Sequence, residues 1–207
     1  MKRRFPFLNC KYVNDVAYAD IMHTTATTGT SHDGYTMALV VCLRDKKIVK
    51  AYPMKKKTDA YDMIEKFFVE ECVPRRVVTD PAGELTGEKW KKLCKTYRTI
   101  SNQVETAQQW QDRVERWIGH LKEMVEKFTN KTGAPTRFWS FCLVHCCAVL
   151  NHTAHLSLAW KTPYEMLHGS TPDISVFWAL HFWDKVRFLA HEEKFPNNRE
   201  LPGRFLG

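Results

Sequence analysis

The chain has 207 residues, of which 44% are hydrophobic and 13% aromatic, and its formal net charge is +8. This length suits one sizeable α/β domain with extensions, and the apolar content excludes an intrinsically disordered chain. The positive charge favours an anionic partner, with nucleic acid the first expectation and an anionic membrane surface the second, although charge alone fits a basic soluble protein equally well.

The cysteines and the start of the chain point to a reducing compartment. Seven cysteines, an odd number, follow a start in which residues 5–8 are too short for the apolar region of a signal peptide. We therefore expect reduced thiols and a protein that is not secreted, located in the nucleus or the cytoplasm. The longest apolar stretch, residues 138–150, is too short to span a bilayer, which predicts no membrane association.

The first half of the chain predicts an antiparallel meander, then a helix and a buried strand. Three apolar runs bounded by turn residues predict strands, at residues 13–20, 35–43 and 48–54. Thr58 is predicted to cap a helix whose apolar residues lie at helical spacing, and Pro74 to prevent its continuation. The β-branched run 76–80 then predicts the central strand, buried on both faces.

The second half predicts helices with one short strand among them. A basic amphipathic helix is expected at residues 88–97, followed by a strand at 98–101. Two long helices come next, an amphipathic one over 111–129 and a buried one over 136–156, and a helical turn is expected at 163–167. The order of the elements predicts an α/β fold in which helices flank a mixed five-stranded sheet.

Three acidic residues lie at the ends or edges of predicted elements. Asp20 closes the first apolar run, Asp80 ends the run 76–80, and Glu115 borders the apolar stripe of a long helix. Carboxylates from separate elements repel one another unless cations lie between them. Their hard oxygens suit Mg²⁺ or Mn²⁺, and two such ions can activate an attacking oxygen and stabilise a leaving one. Spacing alone fits a turn cap at Asp80 and a surface residue at Glu115 equally well.

Several separated segments resemble retroelement integrases, in the form found in copia-type LTR retrotransposons. Residues 76–84 (RVVTDPAGE) resemble the second-aspartate motif, and residues 109–122 (QWQDRVERWIGHLK) resemble the glutamate helix. Residues 161–175 (KTPYEMLHGSTPDIS) resemble the segment that follows the catalytic core. The similarity stays in register from about Tyr12 to the C-terminus.

The resemblance implies an RNase H-like core with a D,D-E triad and a two-metal site for Mg²⁺ or Mn²⁺. It implies DNA 3′-end processing and strand transfer, with double-stranded DNA (element ends and target) as substrate and a homo-oligomer as the active form. By position, the catalytic and metal-binding residues are Asp20, Asp80 and Glu115, with Asp15 the alternative to Asp20. The expected regions are a basic N-terminal lead-in at 1–12, the catalytic core at 13–158 and a C-terminal extension at 159–207.

Basic and aromatic residues near the acids are candidates for DNA contacts. These nucleic-acid-binding candidates are Arg113, Arg116, Lys122, Trp110, Lys89 and Lys92. The three cations that share a helix with Glu115 are interpreted as phosphate contacts rather than as a solvated face, which would give salt-sensitive, sequence-independent affinity. Trp110 either stacks on a base or, the interpretation we favour, holds its loop against the core.

The 136–156 helix carries six cysteines and histidines that invite comparison with a zinc site, namely Cys142, His145, Cys146, Cys147, His152 and His155. Small cysteines also pack well in an apolar helix, and we favour packing. Nothing before Asp20 supplies the two His and two Cys of the family's zinc-binding module.

Departures from the family pattern leave two other functions open. Gln109 and Asp112 stand where the family usually has Pro and Asn, Asp112 adds negative charge three residues before Glu115, and Pro81 replaces a residue that is more often small or polar. A decayed or domesticated copy would be a nucleic-acid-binding or interaction module without metal-dependent turnover. An RNase H-like nuclease acting on RNA would instead cleave an RNA–DNA hybrid.

Overall fold

Five strands form one mixed sheet in the order β3-β2-β1-β4-β5. The computed structural model describes residues 9–24, 29–80, 85, 87–103, 111–190 and 199–207, without the side chains of residues 103 and 111–113. The strands are β1 (Tyr12–His23), β2 (Met37–Leu43), β3 (Val49–Met54), β4 (Val73–Thr79) and β5 (Ile100–Gln103). The β1–β2 and β2–β3 pairs are antiparallel, whereas β1–β4 and β4–β5 are parallel. The predicted mixed five-stranded sheet is therefore confirmed.

The strand order corrects the prediction that the run 76–80 is the central strand. The centre of the sheet is β1, and β4 lies second from the edge, beside the short strand β5. Pro74, predicted only to stop the preceding helix, lies inside β4. Its missing N–H costs little there because it lies near the start of the strand, two residues before pairing with β5 begins at Arg76.

Helices cover both faces of the sheet. Those longer than one turn are α1 (Ala60–Glu70), α2 (Glu88–Tyr97), α3 (Gln111–Thr132), α4 (Trp139–His152), α5 (Pro163–His168) and α6 (Ser175–Ala179). The predicted cap at Thr58 is wrong, because Thr58 lies within a 3₁₀ turn before α1 and the Asp59 carboxylate accepts the nearby Lys56 N–H at 3.0 Å. The helix predicted over 136–156 is shorter than expected, because Thr153 adopts an extended backbone and ends α4.

Alternating side chains of the sheet build two cores. One face of β1, which carries Ala19, packs with α1 and α2, including Phe67; we call this the α1–α2 core. The opposite face, which carries Tyr18 and Met22, packs with α3 and α4 in the α3–α4 core. Because side chains alternate along a strand, Asp20 projects towards the face that α3 covers.

The C-terminal segments pack against the same two cores. Leu167 of α5 belongs to the α1–α2 core, and Phe182 belongs to the α3–α4 core. Two further strands, β6 (Lys185–Leu189) and β7 (Glu200–Arg204), pair with each other in antiparallel fashion. The predicted region boundaries after residues 12 and 158 stay predictions.

The described helices differ from a membrane span in length or in apolar content. None of them is by itself long and apolar enough to cross a bilayer. The segments Thr136–His152 and Leu156–His168 meet the length and composition requirement only when taken together, and they are bent by 50°.

The side chain of Asn151 links α4 to the edge strand β3. The Val49 N–H donates to the Asn151 amide oxygen at 2.9 Å, and the Asn151 amide nitrogen donates to the Val49 carbonyl oxygen at 2.8 Å. Asn151 is buried, so water cannot replace these bonds if the side chain is removed.

Replacing Asn151 by Ala should therefore lower the free energy of unfolding by about 2–4 kcal/mol, because a buried donor and a buried acceptor both lose their partner. Urea unfolding measures the change. Val144→Ala, at a position of α4 that is 47% exposed, is the matched control and should stay within about 0.5 kcal/mol of the parent. Equal losses in the two variants would contradict the role given to Asn151.

Candidate active site

Parallel pairing of β1 with β4 brings Asp20 and Asp80 to adjacent positions. The last register pair of these strands is Ala19 with Thr79, and the two aspartates are the residues that follow. Neighbouring strands lie about 4.8 Å apart, and residues at the same level project to the same face. Both aspartates are half-buried. The register therefore accounts for two carboxylates side by side.

The prediction that the first strand ends at Asp20 is wrong. β1 continues to His23 because its last residues stay paired with β2, with Asp20 opposite Val40 and His23 opposite Met37. Only β4 stops at this level, after Thr79. Asp20 therefore has no β4 partner beside it, and this is why its carboxylate is only half-buried although β1 continues.

Helix α3 carries the third acid. Val114 and Ile118 are buried in the α3–α4 core, whereas Glu115 between them is exposed. The apolar contacts of α3 thus fix the helix on the sheet face to which Asp20 projects, and they leave the Glu115 carboxylate free to approach it.

The pKa of Asp20 shows that the three acids influence one another. Burial raises this pKa above its usual value, and the hydrogen bond from the Ile21 N–H, at 2.7 Å, opposes the rise. The negative charges of Asp80 and Glu115 raise the pKa further, while His23 lowers it. The carboxylates of Asp80, directly after β4, and Glu115 on α3 are therefore close enough to Asp20 on β1 to interact with its charge.

These carboxylates suit a hard divalent cation by their chemistry but do not by themselves form a compact cage. Within the ranges given above, no group of three or more His, Cys, Asp or Glu side chains is arranged so as to hold a metal ion. Like charges favour separation of the carboxylates, and a cation between them would lower the pKa of Asp20 again. The assignment of Asp20, Asp80 and Glu115 as catalytic and metal-binding residues stays a prediction.

Asp15, the alternative to Asp20, is engaged elsewhere. It is 2% exposed, and its carboxylate accepts three backbone N–H groups, from Val16 at 2.7 Å and from Asp45 and Lys46 at 3.0 Å. These bonds hold the turn between β2 and β3. The structure thus gives Asp15 a structural role.

The candidate DNA-binding residues lie on two helices. Arg116 and Lys122 are exposed on α3, and Lys89 and Lys92 are exposed on α2, which packs against the opposite face of the sheet. The structure therefore does not bring the four cations to one face. The remaining candidates and the family departures lie outside the described residues and side chains, namely Trp110, Arg113, Pro81, Gln109 and Asp112.

Two features near the acids were not predicted from the sequence. His23, at the end of β1, lowers the pKa of Asp20. A pocket of about 550 Å³ is lined on α3 and on the β1–β2 side by Tyr18, Arg44, Lys47, Arg116, Trp117 and His120. Strand alternation would have placed Tyr18 on the Asp20 face, and helical spacing would have placed Arg116 and His120 on one side of α3. Arg44 and Lys47 lie in a turn without a periodic pattern, so the sequence did not predict that they line this pocket.

The cysteines and histidines of α4 take part in packing. None of the seven cysteines forms a disulfide, and Cys142 and Cys146 are buried in the α3–α4 core. Burial lowers the pKa of His145, whose ring lies within 6.2 Å, centroid to centroid, of four aromatic rings. These rings belong to Phe128, Phe177, Phe182 and Phe205. His152 stacks on Tyr164 at 5.2 Å.

Comparison with known proteins shows the fold. No family model and no curated protein matches the chain. The HTLV-2 integrase catalytic core domain in complex with magnesium, in its trimeric form, has a TM-score of 0.59 and 16% identity over 75% of this chain and 97% of that one. Its dimeric form gives the same values. The simian T-cell lymphotropic virus intasome, in complex with PP2A regulatory subunit B56 gamma, has a TM-score of 0.59 and 18% identity over 92% of this chain and 70% of that one. The chain therefore has the RNase H-like fold of integrase catalytic cores.

The two aspartates of β1 should respond in opposite ways to neutralisation. Asp15→Asn should lower the free energy of unfolding by about 1–3 kcal/mol, because an amide has one oxygen to accept the bonds that two carboxylate oxygens now share. Asp20→Asn should leave stability unchanged or raise it, because the amide oxygen can still accept the Ile21 N–H while the repulsion from Asp80 and Glu115 disappears. Denaturant unfolding at neutral pH, with a chelator present, compares them. A larger loss for Asp20→Asn would contradict this assignment of roles.

The stability of the parent chain relative to Asp20→Asn should depend on pH. Since the folded state raises the pKa of Asp20, the unfolded chain releases this proton first, and stability falls as pH rises from the usual aspartate value through the raised one. We expect equal stability at the acidic end of this window and a less stable parent chain above it. Thermal unfolding across a pH series in chelator measures the difference, and a difference independent of pH would contradict the raised pKa.

Proposed function

We propose that the chain is a metal-dependent polynucleotidyl transferase of the integrase type, which processes DNA 3′ ends and joins them to target DNA. The observation that carries the proposal is the placement of Asp20 beside Asp80 by the β1–β4 register, in a fold like that of integrase catalytic cores. The pKa of Asp20 agrees with it, since burial raises this pKa most and the charges of Asp80 and Glu115 raise it further. Carboxylates gathered close together are costly for stability, and phosphoryl transfer on hard cations is a reaction that uses them.

Asp20 and Asp80 would bind Mg²⁺ or Mn²⁺ from adjacent strands, and Glu115 would complete the set from α3. When bound, such ions supply activation of the attacking oxygen and stabilisation of the leaving one. In end processing the nucleophile is water, and in strand transfer it is a DNA 3′-hydroxyl. Each attacks phosphorus in line, and the 3′-oxygen of the attacked bond leaves with the electron pair. The chain's contribution is the positioning of the carboxylates.

DNA is the proposed substrate because α3, the helix that carries Glu115, also carries exposed cations. Arg116 and Lys122 are exposed on α3 on either side of the turn that follows Glu115. Phosphate contacts from such side chains give affinity that falls steeply with salt. Arg113 and Trp110 belong to the same proposal by sequence, and α2 supplies Lys89 and Lys92 as further candidates.

The origin, assembly and location of the protein are also proposals. The motif resemblance supports a copia-type retrotransposon as the source. The HTLV-2 cores were solved in dimeric and trimeric forms and with magnesium, which supports self-association and Mg²⁺ or Mn²⁺ as cofactor here. A nuclear or cytoplasmic protein that is not secreted fits a DNA substrate and cysteines that form no disulfide.

Asp80→Asn should abolish Mn²⁺-dependent nicking and strand transfer on a short DNA duplex, by about 10³-fold or more, because it removes one ligand charge. Gel analysis of labelled oligonucleotides measures both reactions. Asp62→Asn, at an exposed acid on α1, is the matched control and should retain parent activity.

Full activity of Asp80→Asn would contradict the proposal. Salt-sensitive DNA binding without turnover by the parent chain would favour the inactive binding module instead. Preferential cleavage of an RNA–DNA hybrid would favour an RNase H-like nuclease.

A further inference from the structure

The pocket beside α3 is ringed by cations from two separate elements. Arg44 and Lys47 come from the turn between β2 and β3, and Arg116 comes from α3, with the His120 ring beside it. Its volume of about 550 Å³ is within the range of small-molecule sites. None of the lining residues within the described part of the chain is Asp or Glu. This combination selects an anion.

One of these cations, Arg44, is paired with the carboxylate of Asp45. Asp45 accepts from Arg44 Nε at 2.9 Å and from Arg44 Nη2 at 3.1 Å. Both side chains are more than one third exposed, with side-chain exposures of 38% and 55%, so solvent weakens this pair. The guanidinium has five N–H donors, and two of them are used by Asp45. Arg44 can therefore bind a second anion while it keeps Asp45.

The pocket also has an aromatic surface. Tyr18, which is 3% exposed, and Trp117 of α3, which is half-buried, both line it. The Trp117 ring contacts the His120 ring edge-on at a centroid distance of 6.2 Å. Aromatic faces bind planar rings, and nucleobases stack on them irrespective of sequence. The ligand that fits carries a phosphate and a planar ring.

The pocket adjoins the three acids. Tyr18 and Asp20 are two residues apart on one face of β1, which places their Cα atoms about 6.6 Å apart. Arg116 directly follows Glu115 on α3. A DNA strand whose phosphodiester lay at the acids would thus have its neighbouring nucleotide beside the pocket.

We propose that this pocket binds one unpaired nucleotide of the DNA strand, with its phosphate on Arg44, Lys47 and Arg116 and its base against Trp117. The inference rests on the proposed function for the choice of DNA strand, and it adds a subsite that positions that strand next to the acids. Arg44 and Lys47 bind the phosphate of this nucleotide, although they are distant in sequence from α3.

The test is the affinity of a fluorescein-labelled, 5′-phosphorylated thymidine trinucleotide for the chain, measured by anisotropy in chelator so that no metal site is needed. Arg44→Gln combined with Lys47→Gln should raise Kd about tenfold and reduce the salt dependence of log K by about 1.4, the contribution of two single-strand phosphate contacts. Asp45→Asn should tighten binding a few-fold, because Arg44 loses its competing carboxylate.

Three controls separate a built pocket from general positive charge. Lys185→Gln, at an exposed cation of β6, should bind as the parent chain does. An abasic trinucleotide of equal charge should bind at least about fivefold more weakly, because the stacking contact is lost. A glutamate peptide of equal charge should bind more weakly than the trinucleotide.

Parent affinity in the double variant, an equal loss in Lys185→Gln, or equal binding of the abasic or peptide probe would overturn the proposal. Thermal unfolding of each variant confirms that the fold is kept. The two proposals fail separately, since nucleotide binding here is measured without metal. Binding that persists in a chain with no nicking activity contradicts the proposed function alone, and nicking without this binding contradicts the pocket alone.

Discussion

The parallel pairing of β1 with β4 is the constraint on which the site depends. Once Ala19 pairs with Thr79, the next residue along each segment is an aspartate, Asp20 within β1 and Asp80 directly after β4. Two carboxylates at neighbouring positions repel each other, and α3 adds the charge of Glu115 to the same field. The apolar contacts of the sheet and of α3 therefore hold together charges that would separate in solution.

The two cores explain why this arrangement is tolerated. The α1–α2 core and the α3–α4 core cover opposite faces of β1 and β4, so the strands are fixed from both sides. Val114 and Ile118 hold α3 against the sheet independently of Glu115. Near the other end of β1, Asp15 uses its charge to bind backbone N–H groups of a turn. Asp15 thus stabilises one part of β1, whereas the charge of Asp20 destabilises another part.

Local patterns predicted the elements better than their ends or their order. The first four strands and the basic helix 88–97 follow from apolar runs or apolar periodicity, which each segment carries in its own residues. The end of β1 could not be predicted, because residues 20–23 remain strand only through pairing with β2. The position of β4 beside the edge depends on β5, a four-residue strand with little apolar content. The three acids were identified by their motifs. Their electrostatic interaction depends on the pairing of β1 with β4, which the motifs do not contain. The pocket was missed because Arg44 and Lys47 meet α3 only in the folded chain.

The central claim is that Asp20, Asp80 and Glu115 form one site for a divalent cation. Titration calorimetry of Mn²⁺ into the parent chain and into Glu115→Gln tests it most directly, since Glu115 is exposed and its substitution leaves both cores intact. The account predicts saturable binding to the parent chain and a clear loss of affinity in the variant. Equal binding to the two chains, or no binding to the parent chain, would contradict it.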